Sequence, residues 1–283
     1  MKKSLENITK VLIYISFFVP LVVIPSSFIF PFIVPKILLF RSITTLMLGC
    51  YVLLLFINWR QYKPKFTTLN IVILFFLLSF ALSTFFGVDP YHSFWDNHER
   101  MLGLFTILHY GIFYFICSSV FSNWAEWKLA LKIFLIAGSL VMILGLMQKF
   151  DPNFLMNQGS GRVASTLGNA IYVGGYGLFL IFVSALLFLK EKSLVWRWTL
   201  VILGILGFTG LIFSGTRGSM LGLLAGIFFA LFTVAMFYRN NLRARKFTLP
   251  VAGILVIILA VLFFNRQSSF VSNIPVFGSL LNI

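Results

Sequence analysis

Apolar residues along this chain come in blocks, each closed by a short polar interruption, and the blocks are as long as a bilayer is thick. Runs of about 20 apolar residues can cross the hydrocarbon core as helices. They predict spans over 9–30, 37–57, 69–86, 101–121, 129–148, 170–189, 198–213, 218–238 and 248–264. No stretch alternates polar and apolar positions as a barrel strand would. Helices satisfy their own backbone groups in lipid. The expected fold is therefore an all-α membrane protein, a polytopic bundle of about nine transmembrane helices forming a single membrane domain over residues 1–283. The first block, Val11 to Phe30, lacks a small-residue cleavage end and reads as a retained helix.

Composition agrees. With 60% hydrophobic and 10% charged residues, the chain carries more apolar surface than a water-soluble core can hide. The net charge of +15 does not point to nucleic acid, because the basic residues are scattered between spans and not gathered on a polar domain. The lipid bilayer is the partner this composition implies, and no nucleic-acid partner is expected.

Sorting the basic residues gives an orientation. With the N-terminus inside, the cytoplasmic segments hold Lys2, Lys3, Lys10, Arg60, Lys63, Lys65, Lys128, Lys132, Lys190, Lys192, Arg197, Arg239, Arg243, Arg245 and Lys246. The other side receives Lys36, Arg41, Arg100, Lys149, Arg162, Arg217 and Arg266. Lys and Arg are retained on the cytoplasmic side of membranes, so this bias places the N-terminus in the cytoplasm.

Candidate chemistry lies in three outer segments. The first, GVDPYHSFWDNHERMLG from Gly87 to Gly103, holds an aromatic interfacial stretch and then Glu99-Arg100 at the start of the fourth span. The second, KFDPNFLMNQGSGRVASTLGN from Lys149 to Asn169, has Gly159 and Gly161 before Arg162. Its Thr166 and Asn169 are candidate caps for the sixth span. The third is Ser214-Gly215-Thr216-Arg217-Gly218-Ser219, a polar knot that reads as a tight reversal between two spans. Arg100, Arg162 and Arg217 thus fall on one side of the membrane, each expected at or near the outer start of a helix. A cation there opposes the helix dipole, whereas an anion is favoured by it. Arginine's planar fork suits phosphate. The pattern predicts an outward-facing site for a phosphorylated or pyrophosphorylated lipid-linked substrate, against the plainer reading of three arginines touching headgroups non-specifically.

The remaining inventory is short. No nucleotide-binding glycine pattern is present. His92 and His98 do not make a metal site, and the two cysteines, Cys50 and Cys117, lie in apolar segments. No metal and no cofactor are expected. His109, inside the fourth span, reads as a hydrogen-bonded packing residue.

HERMLGL, then GRVASTLGNAIYVGGY, then LIFSGTRGSMLGLLAG, in that order, resemble the O-antigen ligase and O-antigen polymerase superfamily of bacterial polytopic membrane proteins. The second segment is similar to that family's R-x-x-G-T-F-G-N-x-N-x-x-A motif and the third to its S-R-G-x-x-L motif. Thr216 stands where the family has Ser, and Ile171 departs from the G-N-x-N pattern. The resemblance implies transfer of a glycan from an undecaprenyl-pyrophosphate-linked donor to an acceptor at the outer face of the inner membrane. That acceptor would be lipid A core, a protein or another glycan. It implies substrate-binding roles for Glu99, Arg100, Arg162, Asn169, Arg217, Gly218 and Ser219, with Gly168 in the G-N segment. It also implies a later outer loop carrying a histidine base and further helices. These have no counterpart before Ile283, so no catalytic residue is assigned and the chain reads as the N-terminal portion of such a fold. The alternative is a membrane transporter or carrier-lipid-binding protein without transferase activity.

Overall fold

A computed structural model describes residues 2–25, 30–97, 99–151, 153–155, 161–237 and 253. Among the described residues the regular structure is helical, with no strand. The helices are α1 (Lys2–Ser16), α2 (Val34–Ile57), α3 (Trp59–Tyr62), α4 (Thr68–Phe85), α5 (Pro90–Trp95), α6 (Leu104–Val120), α7 (Trp124–Phe150), α8 (Ala170–Lys190), α9 (Leu194–Ser214) and α10 (Arg217–Phe237). Short 3₁₀ turns lie at Val19–Leu21 and Ser165–Leu167. Among the described residues seven segments are long and apolar enough to cross a membrane, and α6 is a shorter apolar helix. The chain thus has the character of an all-α, multi-pass membrane protein. The span expected over 248–264 lies outside the described residues, apart from Gly253.

The first helix corrects the sequence reading. The span begins at Lys2 and not near residue 9, and α1 stops at Ser16. Its charged first turns are helical because their charges are used. Lys10 Nζ pairs with Glu6 one turn earlier (2.6 Å) and with Glu126 of α7 (2.7 Å). With these side chains three-quarters or more buried, removing one partner would strand the other's charge, which costs more than at an exposed pair. The helix ends where Pro20 opens the Val19–Leu21 turn, since proline cannot donate to the ladder.

The described residues form two compact units. The first holds the described residues up to 141 together with 166–168, and the second those within 142–165 and from 169 onward, so the division falls within α7. In the first unit α2 packs against α1 and α6, and α4 and α5 pack against α6. Its core gathers Ile13, Met47, Leu54, Tyr62, Ile116 and Val120, all nearly or wholly buried. A polar clasp closes this core. Tyr62 donates to Glu6 (2.6 Å), Tyr51 donates to the Tyr62 carbonyl (2.6 Å), and Lys2 reaches Gln61 (2.6 Å). Burial, and the Glu6 carboxylate that accepts its proton, push the Tyr62 phenol above its ordinary value.

The second unit is built on close helix contact. An added Cβ at Gly177 of α8 would stand 2.5 Å from the Gly207 carbonyl of α9, and one at Gly207 2.8 Å from Leu180 Cβ. Small residues let two backbones approach this closely, which replaces the hydrophobic drive that lipid cannot supply. The core cluster here is Leu211, Met220 and Leu223, with Leu178, Ile181 and Phe182 packed against it.

Candidate functional site

The polar knot between α9 and α10 is a tight reversal, as its sequence predicts. Helix α9 ends at Ser214, and Gly215 follows in the left-handed region (φ 59°), which glycine adopts without Cβ strain. Thr216 turns the chain and α10 starts at Arg217. Ser214 and Thr216 are buried, and their hydroxyls are fully engaged. Ser214 Oγ donates to the Leu211 carbonyl (2.7 Å), and Thr216 Oγ1 lies 3.1 Å from the Ala170 carbonyl at the start of α8. Gly174, one turn into α8, is where the three helices meet. An added Cβ there would come within 2.7 Å of both Ser214 Oγ and Ser219 Oγ.

Arg162 belongs to this knot. Its Nε donates to the Ser214 carbonyl (2.8 Å) and its Nη2 to Thr216 Oγ1 (3.1 Å). The segment that carries it is held extended against the helices. Val163 N donates to the Phe213 carbonyl (3.0 Å), and the buried Gln148 side chain accepts from the amides of Ala164 (3.1 Å) and Ser165 (2.7 Å). The second and third polar segments, 52 residues apart at this contact, are thereby one structure. The Arg162 side chain spends one edge of its fork on the protein and keeps an exposed remainder.

The placement of the predicted residues is uneven. Arg217 is exposed at the first residue of α10, with Gly218 exposed beside it and Ser219 half-buried. Asn169 caps α8, its side chain accepting from Ile171 N (2.9 Å). Thr166 does not cap that helix. It lies in the preceding 3₁₀ turn, and its carbonyl accepts from Lys36. The helix-terminus argument holds for Arg217 alone. Arg162 sits on an extended segment. Glu99 and Arg100 sit in an exposed turn before α6, because Met101, Leu102 and Gly103 precede the helix instead of opening it. That turn is fastened locally. Asn97 Oδ1 accepts from Arg100 N (2.8 Å), Asp96 Oδ2 accepts from Leu102 N (2.7 Å), and Asp96 and Met101 both have positive φ. Ahead of it the aromatic stretch, for which the sequence predicts no helix, forms the short helix α5, capped by Asp89. Gly159 and His98 lie outside the described residues. Among the described residues no group of His, Cys, Asp or Glu could hold a metal ion.

His109 is buried and hydrogen-bonded, as expected of a packing histidine. Its Nδ1 lies 2.7 Å from the Phe105 carbonyl and its Nε2 3.4 Å from Thr45 Oγ1. The residue missed by sequence reasoning is its neighbour Arg41, which counted only as an outer charge and is in fact 9% exposed. Its position within an apolar run, not between runs, was the available signal. Gln148, which fastens the Arg162 segment, gave no such signal.

Compared with known proteins, the chain matches no family model, no curated protein and no solved structure.

Proposed function

We propose that this protein binds the pyrophosphate of an undecaprenyl-linked glycan at the α9–α10 knot, and that it serves glycan transfer to an acceptor at the outer face of a bacterial inner membrane. The observation that carries the binding step is the union of Arg162 with the knot, which sets a second arginine beside the exposed Arg217 at a helix N-terminus. Two guanidinium groups and the free amides of a helix start form a complementary surface for a polyanionic headgroup. The substrate-binding roles of Glu99 and Arg100 rest on the sequence resemblance. The polar groups at the knot are donors and caps, arranged to bind. This favours carrier-lipid binding without transfer as the second reading.

The proposed topology has the N-terminus in the cytoplasm and about nine spans. The grouping of loops at two ends is supported by which loops meet, and the assignment of one end to the cytoplasm rests on the bias of the basic residues. Lys2, Glu6 and Lys10 contact Gln61, Tyr62 and Glu126, all assigned to the cytoplasmic end, while Arg41 contacts Met101, both assigned to the outer end.

The test is binding and transfer with purified protein in proteoliposomes. Arg217→Gln and Arg162→Gln should each weaken binding of undecaprenyl pyrophosphate roughly tenfold or more, the worth of a charge-assisted hydrogen bond. Unchanged binding in both variants would overturn the site. Binding without transfer of a labelled glycan would select the second reading.

A further inference from the structure

Arg41 is the eighth residue of α2, ~10 Å along the helix axis from its start. A guanidinium buried to this degree is costly unless it is both hydrogen-bonded and neutralised. Its surroundings provide the first and not the second. Nε and Nη2 donate to Thr106 Oγ1, Nη2 donates also to the Met101 carbonyl (3.1 Å), and the Phe105 ring lies 4.9 Å from Cζ. Thr45 and His109 complete the wall, Thr45 Oγ1 donating to the Arg41 carbonyl (2.9 Å). Every one of these partners is neutral or itself basic. Arg41 makes no ion pair among the described residues.

The third guanidinium nitrogen, Nη1, donates to no described residue. Tyr110 lies on α6 one turn beyond Thr106, the residue that holds the guanidinium. Its ring packs 5.2 Å from that of Phe40, the residue before Arg41, and its phenol is within electrostatic range of the guanidinium. Tyr110 is 47% exposed, and its hydroxyl is likewise bonded to no described residue. A charged donor and a neutral one thus lie near one end of a span, and neither has an acceptor among the described residues. Tyrosine is typical of the level where lipid headgroups meet hydrocarbon.

We propose that Arg41 and Tyr110 hold the phosphate oxyanion of a membrane lipid. The planar fork keeps one edge on Thr106 and Met101 and offers Nη1 to a phosphate oxygen, with the Tyr110 hydroxyl as the second donor. The phosphate supplies the negative charge that the chain does not, since it has 22 basic and 7 acidic residues. This site lies wholly in the first unit and does not rest on the glycan-transfer reading.

The experiment is native mass spectrometry of the full chain released from nanodiscs, with dioleoylphosphatidylglycerol, undecaprenyl phosphate and dioleoylglycerol as probes. The wild type should retain the two phosphate lipids and release dioleoylglycerol. Arg41→Gln should weaken phosphate-lipid retention roughly tenfold or more, and the exposed Tyr110→Phe should weaken it several-fold with an unchanged unfolding temperature. Preference between the two phosphate lipids names the source, a bulk phospholipid or a carrier. Equal retention of dioleoylglycerol would overturn the site. So would unchanged retention in Tyr110→Phe, which decides the matter even if Arg41→Gln does not fold.

Discussion

Two glycines near the α9–α10 turn serve different ends. A Cβ at Gly174 would meet Ser214 Oγ, Ser219 Oγ and Thr216 Cβ, all within 2.9 Å. Gly174→Ala should therefore cost about 1–3 kcal/mol by overpacking, seen as a lowered unfolding temperature in detergent. A Cβ at Gly218 would meet nothing within 4 Å. Gly218→Ala should leave stability unchanged or raise it by about 0.5–1 kcal/mol, since alanine suits a helical position better. Packing thus gives no reason for glycine there. If Gly218 lets a pyrophosphate approach the helix start, the same variant will bind undecaprenyl pyrophosphate more weakly while unfolding no earlier. Equal binding would remove Gly218 from the site. The residue types at the knot were legible in the sequence. The attachment of Arg162 to it was not, because 52 residues separate the partners and no periodicity relates them.

At the scale of elements, α1, α3 and α7 are tied by a charge cluster. Lys10 lies between Glu6 and Glu126, and Tyr62 bonds the far oxygen of Glu6. Removing Lys10 leaves two partly buried carboxylates facing one another. Lys10→Met should destabilise the protein, and adding Glu126→Gln should recover part of the loss, with a coupling of roughly 1 kcal/mol in a double-mutant cycle. Tyr62 adds a pH dependence. Its folded value lies above that of a free phenol, about 10, so its stabilisation is complete below that pH and is lost as pH rises toward the folded value. Tyr62→Phe should show a shallower alkaline decline in unfolding temperature than the wild type. Between α8 and α9 the contact is of another kind. Gly177→Ala would push a methyl to 2.5 Å from the Gly207 carbonyl and should separate the helices, costing about 1–3 kcal/mol.

For the whole molecule the prediction concerns orientation. In a background with Cys50 and Cys117 replaced, a cysteine at Ser122 should be labelled only from the cytoplasmic side, and one at Asp89 only from the outside. The reverse pattern would invert the proposed topology. Apolar blocks determined the helices without help from tertiary structure, because insertion into lipid is a local transfer free energy summed over about 20 residues. Hydropathy placed α2, α4 and α6 to α10 within about five residues at each end, left out the short α3 and α5, and mistook both ends of α1, where Lys10 is neutralised in part by a residue 116 positions away. Tertiary structure alone decided which groups surround each charge. Arg41 lies within an apolar run and Arg162 between runs, but neither place says that the first is enclosed beside α6 or that the second fastens a loop to a helix turn. The cost of a charge depends on the groups around it in space, and chain order does not encode those groups locally.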